Sequence, residues 1–145
     1  MKLVACTVLL LFIAQLSIAQ TNNAGQVARG KYLVQRVGMC GDCHTPRDNK
    51  GMPLPGKELA GAPIAFKPLA PMPWAPTAPE IAGLPGWKDA QVVTFLMTGK
   101  LDGRAPNPPM PEYRLSAADA RAVVAYLRSL GSAGAKSQKS TATAK

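Results

Sequence analysis

Histidine and cysteine are scarce in this 145-residue chain, which has one histidine, His44, and three cysteines, Cys6, Cys40 and Cys43. A structural zinc site needs four protein ligands, which are typically cysteine and histidine. His44 and its two neighbouring cysteines fall short of that number, and Cys6 lies in a segment that we predict is removed. The scarcity argues against a zinc-organised fold.

Long apolar runs are also rare, and the longest lies at the N-terminus. After Met1 and Lys2, the chain is apolar from Leu3 to Ile13 and then ends the segment in Ser-Ile-Ala-Gln over residues 17–20. The segment has a positive charge near its start, a short apolar core and an ending in which two small residues flank a third. These features predict a signal peptide over residues 1–19, cleaved after Ala19. A retained anchor is the alternative, but the run is short for a membrane span. We therefore expect an exported protein without a permanent anchor, periplasmic if the source is Gram-negative.

Large apolar residues are missing from the C-terminal stretch, residues 131–145, which is rich in Ala, Ser, Lys and Thr. Such a composition cannot bury enough surface to offset the entropy of ordering, so we predict a disordered tail. Residues 20–130 then form one domain.

Acidic residues number 8 against 17 basic ones, and without Lys2 the formal net charge is +8. The basic residues are scattered, with no basic helix and no interleaved aromatics, so nucleic acid is a poor partner. A basic exported protein is instead attracted to acidic protein partners, and this attraction mainly raises the rate of encounter.

Proline is absent outside residues 46–111, a range that contains all fourteen prolines. Because helix interiors exclude proline, helices are expected before residue 40, after residue 111, and between Pro85 and Pro106. Each of these three segments has an apolar stripe at helical spacing, and no segment shows the alternation of a strand. The fold class predicted is all-α, with a Pro-rich loop region. The stripes are Val27, Gly30, Val34 and Val37; Val92, Phe95 and Leu96, ended by Gly99; and Ala120, Val123, Val124, Leu127 and Leu130, begun by a capping box at Ser116 and ended by Gly131.

The motif that carries chemistry is Cys40-Gly41-Asp42-Cys43-His44. Cys-x-x-Cys-His is the attachment signature of a c-type haem. Each thiol adds across one vinyl group of the haem, and the adjacent imidazole becomes the proximal ligand of the iron. The motif occurs once, so one covalent haem c is expected, with Cys40 and Cys43 as its tethers and His44 as an iron ligand. A redox-active dithiol is the alternative, but it is typical of a βαβ setting that the Pro-rich sequence does not provide.

Three stretches carry a family resemblance. Residues 30–34, Gly-Lys-Tyr-Leu-Val, precede the motif; residues 43–47, Cys-His-Thr-Pro-Arg, follow it; and residues 108–111, Pro-Pro-Met-Pro, lead to the closing helix. Together they resemble class I cytochromes c, and more narrowly the cytochrome c subunits that serve periplasmic dehydrogenases. The resemblance spans residues 26–130 and implies a small fold of three or more helices wrapped around the haem. The subunits of that family usually carry several haem motifs.

The second axial ligand decides whether such a protein carries electrons or reacts at its iron. His44 is the single histidine, and methionine sulfur is the usual partner of histidine in cytochromes c. Met39 adjoins the proximal side, and Met97 lies in the middle helix, where we expect it to pack in the core. Met110 is the first choice, because flanking prolines restrict its backbone and because the resembling family places its ligand just before the closing helix. Met72, also in Pro-Met-Pro, is the second choice.

These observations predict a single-electron carrier rather than an enzyme. Its partners would be acidic redox proteins that dock transiently, such as a dehydrogenase, an oxidase or a reductase. Two alternatives stay open: a haem protein with an open or displaceable sixth site, which would bind gases or act like a peroxidase, and a docking haem domain of a larger redox complex.

A few further side chains are candidates for the site, and ordinary packing in the core or on the surface is the alternative for each. Candidates to contact the haem or its propionates, by analogy with the resembling family, are Arg47, Trp74, Trp87 and Tyr113. Gly30 and Tyr126 are expected to mark a close crossing of the first and last helices, since glycine lets an aromatic side chain approach.

Overall fold

The computed structural model describes the backbone of residues 23–142 and the side chains of residues 23–131. The predicted signal peptide, residues 1–19, lies outside the described residues, so its cleavage stays a prediction. Within the described range, no helix combines the length and the apolar character needed to cross a membrane.

Helices dominate the described part of the chain. Helix α1 covers residues 23–32 and continues as a π-helix over Leu33–Val37. The short helix α2 is Gly41–His44, α3 is Asp89–Thr98 and α4 is Ala117–Ala142. All three predicted helical segments are confirmed.

The helix ends follow local chemistry. Gly99 ends α3 in the left-handed conformation, φ 69°, as predicted from its position. At the start of α4, the Asp119 amide donates to Ser116 Oγ at 3.1 Å, as a capping box requires. The Asp119 carboxylate accepts hydrogen bonds from Arg29 on α1, and this guanidinium lowers the pKa of Asp119.

Helix α4 continues to Ala142, past Gly131, where the sequence pattern places its end. The predicted helix boundary is therefore wrong. The residues after Gly131 contain no proline and several good helix formers, so nothing local forces the helix to stop.

The π-helix explains a second difference between the predicted and the observed structure, which concerns the burial of Val37. Val37 was expected on the buried face of α1 with Val34, but Val37 is 53% exposed whereas Val34 is 1% exposed. A π-helix places more residues in each turn, so a stripe counted at 3.6 residues moves off the face. Leu33, 6% exposed, packs in the core with Val34.

Helices α1 and α4 cross closely at Gly30, as predicted. A Cβ atom added to Gly30 would overlap the Ala122 carbonyl of α4 and lie 2.8 Å from Tyr126 Cβ. One turn further along α1, Gln35 Nε2 donates to the Tyr126 hydroxyl at 3.0 Å. Only a residue without a side chain permits this contact. The core on either side of the crossing is formed by Leu33, Val34, Leu59, Leu84, Leu96, Ala120, Ala122, Val123, Val124, Tyr126 and Leu127.

Arg128 on α4 holds the loop that precedes α3. Its guanidinium donates to the carbonyl oxygens of Gly83 at 2.6 Å, Leu84 at 3.0 Å and Trp87, and it pairs with Asp89 at 2.8 Å. One side chain thus satisfies three main-chain acceptors of an irregular segment and links it to the last helix.

A small antiparallel sheet corrects the all-α expectation. Strand β1, Ala62–Pro63, pairs with β2, Thr77–Ala78, and together they close a Pro-rich hairpin. Strands of two residues are too short to show an alternating pattern, so no periodicity predicts them. The fold is helix-rich with a two-stranded sheet.

Replacing Gly30 by Ala should lower the free energy of unfolding by about 1–3 kcal/mol, because the new methyl overlaps the backbone of α4. This is the net loss, after the gain of about 1 kcal/mol that alanine usually brings to a helix has been subtracted. Gly25→Ala on the same helix is the matched control, since nothing lies within 4 Å of its added Cβ. Denaturant unfolding of the holoprotein measures both, and an equally stable Gly30→Ala variant would contradict the close crossing.

Replacing Arg128 by Lys should cost about 2 kcal/mol of stability, because an ammonium group cannot serve several separated carbonyl oxygens at once. Arg121→Lys, at an exposed position of the same helix, should change stability by less than about 0.5 kcal/mol. Thermal and denaturant unfolding compare the two. Equal effects would show that Arg128 does not hold the loop.

Candidate haem-attachment site

The motif is presented by a tight turn between α1 and α2. The Gly38 amide donates to Leu33 O at 2.7 Å and the Cys40 amide to Val34 O at 3.0 Å, so the turn is tied to the π-helix. Between them Met39 has φ 47°, an unusual value for a residue other than glycine, which marks the sharp change of direction. Cys40 then precedes Gly41–His44, one helical turn that carries the second cysteine and the histidine.

The two thiols are free and half-buried. Burial raises the pKa of Cys40 above its ordinary value, with smaller contributions from Cys43 and Asp42. Redox-active dithiols of the Cys-x-x-Cys type have a lowered cysteine pKa instead.

His44 is 7% exposed, and its ring is oriented by one hydrogen bond. Nδ1 lies 2.7 Å from the carbonyl oxygen of Pro79, so this nitrogen carries the proton and donates it. Burial lowers the pKa of His44, which favours the neutral ring. Nε2 is then left with a lone pair, the form in which imidazole binds a metal.

Residues at the base of the hairpin also form hydrogen bonds with the main chain of His44 and with the next residue. The Gly61 amide, just before β1, donates to His44 O at 2.8 Å, and Pro79 follows β2 directly. The Leu59 amide donates to Thr45 Oγ1 at 3.0 Å. His44 is thus held at the point where both ends of the hairpin meet α2.

The structure brings the two Pro-Met-Pro segments together. The Ala75 amide, three residues after Met72, donates to Pro108 O at 2.8 Å, two residues before Met110. Met110 is half-buried, whereas Met72 is 50% exposed. Both candidate ligands therefore belong to one joined region of loop.

Tyr113 connects the Met110 segment to the cysteine turn. Its hydroxyl donates to Gly38 O at 2.9 Å. Burial, followed by the nearby Cys40 and Cys43, raises the pKa of Tyr113 to about 12. The hydroxyl consequently remains protonated, and able to donate, throughout the physiological range.

The other side chains singled out from sequence have local partners. Arg47 donates to Gly51 O and pairs with Asp42. Trp74 donates to Phe66 O at 3.1 Å and stacks edge-on against the Phe66 ring, and Trp87 packs against the main core. Met97 is predicted to pack in the core but is 38% exposed, so that prediction is wrong.

The residues present fit haem c. Two free thiols lie one helical turn apart beside a neutral imidazole with an unprotonated nitrogen, which is the donor set that covalent attachment and iron ligation require. Within the described residues, no three side chains of the His, Cys, Asp and Glu types form a group able to hold a metal ion. The loops after His44 also leave large apolar side chains exposed, namely Met52, Leu54, Phe66, Leu69 and Met72.

This helix-rich fold, with its Cys-x-x-Cys-His turn and oriented histidine, is that of a c-type cytochrome. The chain belongs to the family of cbb3-type cytochrome c oxidase subunit III, whose model matches residues 25–127. Members of this class transfer electrons by means of haem c.

Curated relatives agree with the family. The fructose dehydrogenase cytochrome subunit of Gluconobacter japonicus is 37% identical over 108 residues, which is 70% of this chain and 21% of the relative. The alcohol dehydrogenase (quinone) cytochrome c subunit of Gluconobacter oxydans is 36% identical over 117 residues, 72% of this chain and 24% of the relative. A diheme cytochrome c-type protein of Cereibacter sphaeroides is 44% identical over 46 residues, 32% of this chain and 16% of the relative. The chain spans about a quarter or less of each relative.

Two parts of the site had no signal in the sequence. The Pro79 carbonyl, which orients His44, is a main-chain group that every residue possesses. The Gly38 carbonyl, which accepts the hydrogen bond from Tyr113, is also a main-chain group that no residue type identifies. Tyr113 itself was singled out, but as a possible haem contact.

Replacing both Cys40 and Cys43 by Ala should abolish covalent attachment, so that acidified organic solvent extracts the haem from the variant but not from the wild type. Each single variant should retain haem through one remaining thioether. Cys6→Ala, in the predicted signal peptide, is the matched control and should attach haem normally. Covalent haem in the double variant, measured by mass spectrometry, would contradict the assignment.

Proposed function

We propose that this chain is an exported monohaem cytochrome c that carries single electrons between periplasmic redox partners, such as a dehydrogenase and a terminal oxidase or reductase. In this proposal Cys40 and Cys43 hold the haem covalently, His44 is the proximal iron ligand and Met110 is the distal one. His44 and Met110 would hold the iron in both oxidation states, which would leave no position free for a substrate.

The observation that carries the proposal is the hydrogen bond from His44 Nδ1 to Pro79 O at 2.7 Å. It selects the tautomer with a free Nε2, and it holds the ring in one orientation within a buried site. Because the His44 ring is already held in one tautomer and one orientation, it would need little rearrangement when the oxidation state of the iron changes. Hydrogen bonding of the second ring nitrogen also raises the basicity of a histidine ligand.

Each residue then has a defined task. Haem c, when bound, supplies an iron that gains and loses one electron. The thioethers of Cys40 and Cys43 prevent the cofactor from dissociating, and His44 donates the Nε2 lone pair. Met110 donates a thioether sulfur from a segment whose neighbouring prolines limit the entropy lost on binding.

Two observations favour Met110 over Met72. Met110 is half-buried, and the segment around it is fixed from both sides, through Pro108 O to Ala75 and through Tyr113 to Gly38. Met72 is 50% exposed, and of these two anchors it shares the one at Ala75, three residues further along the chain. A fixed ligand keeps the sixth position filled, which suits electron transfer rather than ligand binding.

The partners proposed are acidic proteins that dock transiently. The excess of basic side chains favours encounter with acidic surfaces, and contacts between electron-transfer proteins are small and weak. The relatives named as dehydrogenase cytochrome subunits support a dehydrogenase as the electron donor. Since this chain covers only a fraction of their length, a docking haem domain of a larger redox complex is the second candidate.

The test is the visible absorption spectrum of the purified holoprotein, oxidised and reduced, with and without carbon monoxide. We expect low-spin spectra in both states, a sulfur-to-iron charge-transfer band in the ferric protein and no rapid binding of carbon monoxide. Met110→Ala should lose the band and bind carbon monoxide, because the sixth position opens.

Met72→Ala is the matched control and should keep both properties of the wild type. Loss of the band in Met72→Ala alone would transfer the ligand role to Met72. A wild type that is high-spin when reduced and binds carbon monoxide readily would replace the carrier proposal by a protein with an open site.

A further inference from the structure

Tyr113 occupies a position between the two halves of the proposed haem site. It follows Met110 by three residues, and its hydroxyl donates to Gly38 O at 2.9 Å. A Cβ atom built on Gly38 would lie 3.2 Å from the Tyr113 oxygen and 3.3 Å from Cys40 Sγ. The hydroxyl and the first attachment cysteine therefore face the same side of Gly38.

The carbonyl that Tyr113 binds belongs to the turn that presents Cys40. The turn is held from the α1 side by the hydrogen bonds to Leu33 and Val34, and it contains the positive φ of Met39. The peptide group between Gly38 and Met39 must keep one orientation for this turn to form. A hydrogen bond to its oxygen fixes that orientation.

The same hydrogen bond restrains the segment that carries Met110. Among the described residues, it is the one hydrogen bond that joins residues 108–115 to the cysteine turn. The remaining anchors of the segment lead elsewhere, from Pro108 O to Ala75 and from the Leu115 amide to Leu96 O at 2.9 Å. Without the Tyr113 hydroxyl, nothing polar would tie the distal segment to the proximal motif.

We propose that Tyr113 is a positioning residue that holds the Met110 segment against the Cys40 turn and thereby strengthens the bond between the Met110 sulfur and the iron. The inference rests on the proposed ligation by His44 and Met110. It assigns to Tyr113 a main-chain partner, and the contact with the haem or its propionates that the family resemblance implies stays a prediction.

Tyr113→Phe tests this role, because it keeps the ring and removes only the hydroxyl. Imidazole competes with Met110 for the ferric iron, and its binding is followed by the disappearance of the sulfur-to-iron band. We expect the variant to bind imidazole about three- to tenfold more tightly than the wild type, the range that corresponds to one lost hydrogen bond.

Tyr126→Phe is the matched control. It removes a tyrosine hydroxyl that accepts a hydrogen bond of similar length, 3.0 Å, from Gln35 near the same end of α1. Both variants should lose a similar amount of global stability in denaturant unfolding, but only Tyr113→Phe should change the affinity for imidazole.

The outcomes separate the two proposals. Unchanged imidazole affinity in Tyr113→Phe, or an equal change in both variants, would overturn the positioning role while leaving the ligation intact. A wild type without the sulfur-to-iron band would overturn the ligation by Met110 itself, and the role of Tyr113 with it.

Discussion

The hydrogen bond between His44 Nδ1 and the Pro79 carbonyl is the constraint around which this domain is arranged. It joins a four-residue helix to a loop residue 35 positions later, and it defines the tautomer of the single histidine. Both ends of the Pro-rich hairpin must return to this point for the bond to form. The two-residue strands of the hairpin serve that purpose, since they align Gly61 and Pro79 on either side of His44.

The helical frame supports the site from outside. Because Gly30 has no side chain, the backbones of α1 and α4 are in direct contact there. This contact fixes the position of α1 and therefore of the cysteine turn that follows it. Arg128 ties the loop before α3 to the same helix α4. Tyr113 then links the Met110 segment to the end of α1. The fold thus converges on one small region, although no regular element except α2 contributes a cysteine or the histidine.

Much of this arrangement could be predicted from sequence where the cause is local. The position of α3 followed from the proline-free interval and from Gly99, and the capping of α4 from Ser116. The Gly30 crossing followed from a missing side chain opposite an aromatic one. Prediction failed in three places: the π-helix displaced Val37 from the core, the hairpin strands are too short for any pattern, and α4 passes Gly131, the residue expected to end it, because glycine permits a helix to end but does not force it.

The sequence by itself determined the close spacing of Cys40, Cys43 and His44, and this spacing predicts the attachment chemistry from covalent geometry. It also determined which segments are helical, since proline, glycine and capping residues act on their immediate neighbours. Only the tertiary structure decided which carbonyl orients His44, which turn Tyr113 holds, and how the two Pro-Met-Pro segments meet. Main-chain acceptors are chemically alike at every residue, so the choice among them depends on how distant parts of the chain pack together.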